Sequence, residues 1–178
     1  MASLEEKRVQ NISEYIIQVY QAEALVRQHK FDLEALFAEN INGLGGSEEE
    51  KAQERQWYTN LAQSLEQEGS KDSGHLGRLG EYVKELNEIH FHLLRSDRVY
   101  RGHFDQAKLH INRHLQAYGG ELSNPIQICL NGIFLYKNKR ANQETLTESD
   151  RNGMHAFVEL CSYLSYRYRS RHEGNGAE

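Results

Sequence analysis

Apolar residues recur along this chain at steps of three and four, the spacing that places side chains on one side of an α-helix. The first stripe contains five residues, Val9, Ile12, Ile16, Val19 and Val26. It predicts one helix over residues 4–29. Similar stripes predict six further helices, which begin near residues 32, 47, 76, 100, 125 and 147.

Residues that favour helix starts stand where some of these stripes begin. Ser47 is followed three positions later by Glu50, a capping box in which each side chain accepts a hydrogen bond from an unpaired backbone N–H. Asn124 precedes Pro125, an N-cap followed by the residue that tolerates a missing N–H at the first helical position. The helix that Pro125 opens is apolar on nearly every side, which predicts a central position.

No segment shows the sustained period-two alternation of a β-strand, and a single proline among 178 residues favours long helices. The sequence therefore predicts an all-α fold, an antiparallel bundle of about six to seven helices with no sheet. We expect one domain over residues 1–170, with a polar internal linker near residues 68–74 and a disordered tail over residues 171–178. Cys129 and Cys161 lie on apolar stripes, where free thiols behave as small hydrophobic groups.

Charge and hydropathy narrow the class of protein. The formal net charge is −5, which argues against a dedicated nucleic-acid-binding domain, because such domains are normally basic. Residues 1–89 carry 9 Lys and Arg against 17 Asp and Glu, whereas residues 90–178 carry 12 against 9. The chain has no apolar run long enough for a membrane span and no N-terminal pattern of a signal peptide. We therefore expect a cytoplasmic protein with no membrane partner.

Histidines are concentrated in the middle of the chain, at His90, His92, His103, His110 and His114. The last three fall on one line along a single predicted helix. The spacing of His110 and His114 lets two imidazoles bind one metal ion, and a third ligand would come from His90 or His92 on the preceding helix or from His103. Such a three-histidine site would suit metal-activated water and hydrolysis. The alternative is that these histidines flank the hydrophobic core as ordinary boundary residues.

Arginines form a second cluster at the junction of two predicted helices, at Arg95, Arg98 and Arg101. Guanidinium groups at this spacing suit a phosphate or a carboxylate. Arginines also alternate with tyrosines over residues 163–172, a composition that suits base stacking and phosphate contacts. The alternative is that these cations complement the C-terminal end of a helix dipole.

Three functions fit these observations. We interpret the chain as a non-catalytic binding or self-association module, whose partner is another protein or a second copy in a homodimer. The first alternative is a metal-dependent, hydrolase-like enzyme that uses the three-histidine site, with a divalent metal as its cofactor. The second alternative is an anion or nucleic-acid binder that uses the arginine cluster and the C-terminal arginines. The sequence names no substrate for any of them.

Overall fold

The computed structural model describes residues 4–118 and 124–174, and these contain eight α-helices and no β-strand. The helices are α1 (Leu4–Gln10), α2 (Ile12–Gln28), α3 (Leu33–Asn40), α4 (Glu48–Gln67), α5 (Gly77–Ser96), α6 (Arg98–Tyr118), α7 (Pro125–Ala141) and α8 (Glu148–Gly174). The predicted all-α class is confirmed. No helix in the described ranges is both long and apolar enough to cross a membrane.

Spatial proximity divides the chain into two compact units. Residues 1–17 and 81–178 form unit 1, and residues 18–80 form unit 2. The single domain over residues 1–170 stays a prediction. The last helix reaches Gly174, beyond the boundary expected at residue 170, while residues 175–178 of the expected tail lie outside the described ranges.

The predicted helix over residues 4–29 is interrupted at Asn11, which is one reason why the helices outnumber the prediction. The side chain of Asn11 accepts a hydrogen bond from the Glu14 N–H at 3.1 Å and so starts α2 as an N-cap. Val9 lies before this break and is 52% exposed, although its spacing placed it on the buried stripe. The spacing of apolar residues is unbroken across Asn11, although α1 ends just before it and α2 begins just after it.

In unit 2, the segment between α4 and α5 is a loop that contains the polar residues 68–74. Arg27 donates hydrogen bonds to the carbonyl oxygens of Ser70, Lys71 and Gly74, at 2.7–3.1 Å. The buried Glu23 carboxylate accepts the backbone N–H of Leu76 at 3.0 Å. This loop is therefore attached to α2 by one arginine and one carboxylate.

The core of unit 1 is built around α7, whose buried residues face several directions as the sequence predicted. Cys129 on α7 and Cys161 on α8 are buried free thiols, and burial raises the pKa of Cys129 well above its ordinary value. At the start of α2, Ser13 donates to the Cys161 carbonyl at 3.2 Å and accepts from Ser165 at 2.7 Å. These bonds satisfy the buried hydroxyl groups between α2 and α8.

Two glycines let α7 and α8 pack closely in antiparallel directions. A Cβ atom at Gly132 would overlap the ring of Phe157, with Cδ2 at only 2.7 Å. One turn further along, the glycine is on α8 and the aromatic residue is on α7. There Gly153 faces the hydroxyl of Tyr136. The rings of Tyr136 and Phe157 lie between the two glycines, with their centroids 6.4 Å apart. Each helix therefore offers one glycine to one aromatic ring of the other.

This packing predicts that Gly132→Ala lowers the free energy of unfolding by about 2 kcal/mol, because overlap with Phe157 outweighs the higher helix propensity of alanine. Urea titration of the full chain measures the change. Gly102→Ala is the matched control, since Gly102 is exposed on α6 with nothing within 4 Å of its Cβ position. The control should gain up to about 1 kcal/mol. Equal stabilities of the two variants would contradict the close approach.

Candidate functional site

His90 is part of the core of unit 1. It is 1% exposed, and its Nδ1 lies 2.6 Å from the hydroxyl oxygen of the buried Tyr100. The ring packs edge-on against Phe104 at a centroid distance of 4.8 Å. Burial lowers the pKa of His90 to about 4, so the imidazole is neutral at neutral pH. Its hydrogen bond and packing join α5 to α6.

The other predicted ligands have different surroundings. His103 pairs with Glu159 of α8 at 3.4 Å. His110 lies beside Gly153 and Phe157, while His114 is buried, and burial lowers the pKa of both histidines.

His92 is exposed on α5. Among the described residues, no group of three His, Cys, Asp or Glu side chains is arranged to hold a metal ion. All five predicted histidines lie in unit 1. His90, His103 and His110 contact Tyr100, Glu159 and Phe157 respectively.

The arginine cluster lies on the surface around the α5–α6 junction. Arg95, Arg98 and Arg101 are all exposed, and Arg101 donates to the Leu94 carbonyl at 3.4 Å. Asp97 lies at the centre of this junction and accepts the hydroxyl of Tyr163 at 2.6 Å. That hydrogen bond, followed by those from the α6 backbone, lowers the pKa of Asp97. The negative charge of Asp97 at this junction therefore offsets part of the positive charge of the cluster.

A groove runs between α5 and α8 in unit 1. The two helices are antiparallel, since Asp97 near the end of α5 meets Tyr163 while Glu85 meets His172. The groove has a volume of about 750 Å³ and is open to solvent. It is lined by Glu88, Ile89, His92 and Leu93 of α5, and by Tyr166, Arg167, Ser170 and Arg171 of α8.

The groove has an apolar floor and polar walls. Ile89 and Leu93 are buried at its base, whereas the ring of Tyr166 is 56% exposed on the α8 wall. The guanidinium of Arg169 lies 5.9 Å from the Tyr166 ring centroid, a cation–π contact that supports the ring from one side. An exposed aromatic beside an apolar floor is typical of protein-binding surfaces.

Most charges around the groove are paired within the chain. Two ion pairs fall here, Arg167 with Asp97 at 3.9 Å and Arg169 with Glu173 at 3.8 Å. Nε2 of His172 lies 3.3 Å from the carboxylate of Glu85. Glu88 on the α5 wall and Arg171 on the α8 wall have no ion pair within residues 4–118 and 124–174. The groove therefore presents one free negative and one free positive side chain on opposite walls.

Residues 1–175 match a family model described as a domain of unknown function (DUF4924). The chain belongs to this family. No curated protein and no solved structure shows a significant match to it.

Sequence reasoning found only part of this site. It singled out His92 and the alternating tyrosines and arginines of residues 163–172, but it did not place Glu88 opposite Arg171. Helical spacing puts Glu88 and His92 on one face of α5, and Arg167 and Arg171 on one face of α8. These two i,i+4 pairs are the part of the site that the sequence could have indicated. The pairing of the two faces depends on tertiary structure.

Burial of His90 predicts a pH-dependent stability. Its pKa is about 4 in the fold and about 6.5 in the unfolded chain, so below pH 6.5 the unfolded chain binds a proton that the folded chain excludes. The free energy of unfolding should fall between pH 6.5 and 4, by about 3 kcal/mol from this residue. His90→Gln should remove that part of the fall. Urea titrations across this pH range measure it.

Tyr100→Phe is the matched control, because it removes the hydrogen bond to His90 but keeps the ring that buries it. Since burial is the cause of the lowered pKa, the control should lose stability at every pH and keep the same fall with acid. A full acid dependence in His90→Gln would contradict the role of His90.

Proposed function

We propose that this chain is a non-catalytic protein-binding module whose docking surface is the α5–α8 groove. The observation that carries the proposal is the groove itself, about 750 Å³ of open space with an apolar floor and an exposed tyrosine on its rim. Its partner presents a helical protein surface, with apolar side chains that meet the floor and charges of both signs that meet the walls.

The shape of the groove supports a helical occupant. Two adjacent antiparallel helices leave a channel between them, and the apolar face of a partner's helix can pack against such a channel. Ile89 and Leu93 provide the apolar strip along this channel. Tyr166 supplies an aromatic anchor with few rotatable bonds, so little side-chain entropy is lost when it is covered.

The chemical character of the groove also supports binding. His90, Cys129 and Cys161 of unit 1 are buried in packing contacts away from solvent. The imidazole of His92 lines the groove. Arg167 already pairs with Asp97, and Glu88 faces the same groove. An anion or nucleic-acid function would require a more uniformly positive surface than this mixed one.

The proposal predicts that the rim of the groove contacts another protein in the cell. Tyr166 is replaced by photoreactive benzoylphenylalanine in the full chain, and irradiation should give discrete protein adducts. The same replacement at Val158 is the matched control, because Val158 is 38% exposed on α8 but does not line the groove. The Arg171→Glu substitution should lower the adduct yield at position 166.

The pattern of adducts decides the outcome. Discrete protein adducts at position 166 that weaken with Arg171→Glu support a docking groove. Adducts of equal yield at positions 158 and 166, or no protein adduct at 166, would contradict it. Adducts with nucleic acid alone would favour the anion-binding alternative and also contradict the proposal.

A further inference from the structure

We infer that the occupant of the α5–α8 groove is the same groove of a second copy of this chain, in a two-fold symmetric dimer. This inference rests on the proposed function, since it names the partner of that docking surface. It is carried by the charges and the apolar groups of the groove, which complement themselves under one specific symmetry operation.

Glu88 and Arg171 make the groove electrostatically complementary to itself. They lie on opposite walls of the groove, and neither has an ion pair in the described ranges. The antiparallel register, in which Asp97 meets Tyr163 and Glu85 meets His172, puts Glu88 and Arg171 at about the same level along the groove. A two-fold rotation about an axis along the groove exchanges the two walls and keeps each residue at its level. Glu88 of each copy then faces Arg171 of the other, so one type of contact forms twice.

The apolar groups follow the same exchange. Rotation about this axis places the α8 wall of one copy over the α5 wall of the other. The exposed ring of Tyr166 then covers the strip formed by Ile89 and Leu93 of the second copy, and the reverse contact forms as well. Aromatic side chains buried at the centre of an interface contribute much of its binding energy. A projecting ring and an apolar floor on one face make that face self-complementary.

Other classes of partner leave part of the groove unmatched. A uniformly acidic segment would pair with Arg171 but would be repelled by Glu88. A nucleic acid would meet Glu88 and also Glu85, which lies one turn away on α5. A second copy satisfies both free charges of the groove with a single type of contact.

Charge exchange tests this inference on the full chain. Light scattering during size-exclusion chromatography, over a range of protein concentrations, should show a dimer for the wild-type chain. Glu88→Arg and Arg171→Glu should each raise the dimer dissociation constant by about tenfold or more, because each puts like charges together at two symmetric places. The double variant restores opposite charges and should recover most of the affinity.

Arg140→Glu is the matched control, because Arg140 is exposed on α7 and does not line the groove. It makes the same change of charge as Arg171→Glu and should leave the dimer intact. Circular dichroism of each variant establishes that the helical content is unchanged.

Each outcome bears on the inference. A wild-type chain that stays monomeric at every concentration overturns it, as does a double variant that is no better than the single ones. A dimer that both single variants leave unchanged also overturns it. If the chain is monomeric but position 166 still gives adducts with another protein, this inference fails and the proposed function stands. If neither is seen, both fail.

Discussion

The close approach of α7 and α8 is the constraint on which the packing of unit 1 depends. Gly132 receives the ring of Phe157, and Gly153 lies under the hydroxyl of Tyr136. Cores are packed at nearly crystalline density, so a single added methyl group at such a point must displace an aromatic ring or a helix. His110 of α6 also lies against Gly153, which extends the same close packing to a third helix. The positions of α6, α7 and α8 are therefore set together.

Because the first half of α8 is held by α6 and α7, the orientation of its second half is also set, including the residues that line the groove. From Cys161 onwards, one side of α8 bonds to the start of α2, and another side runs beside α5. The buried pair of His90 and Tyr100 holds α5 to α6. The α5–α8 groove thus lies between two helices that are each fixed by buried contacts elsewhere. Walls held in place before binding lose little conformational entropy on binding, which is consistent with the docking role proposed for the groove.

Local signals in the sequence predicted the helices well, because they act over a few residues. The Asn124 cap accepts from the N–H groups of Ile126 and Gln127, and Ser47 and Glu50 form the predicted capping box. Asn11 was missed as a cap because the apolar stripe continued on both sides of it. The same stripe predicts that Val9, two residues before Asn11, is buried, although Val9 is exposed.

Features that depend on two distant segments were beyond sequence reasoning. Gly132 and Tyr136 on α7 match Phe157 and Gly153 on α8 only when the helices are known to be antiparallel neighbours. The histidines illustrate the same limit, since spacing aligned three of them on α6 but gave no information about the groups that would surround them. His90 is a core residue because Tyr100 meets it, and that contact joins two helices.

The most direct test of a self-complementary groove is a chemical cross-link between position 88 of one copy and position 171 of the other. A chain with Glu88→Cys is mixed with a chain with Arg171→Cys and treated with a short bismaleimide. The native thiols, Cys129 and Cys161, are buried and should not react. The two-fold dimer predicts a cross-linked pair that contains one chain of each kind, in preference to pairs of identical variants. Absence of the mixed product, or equal yields of all pairs, would contradict it.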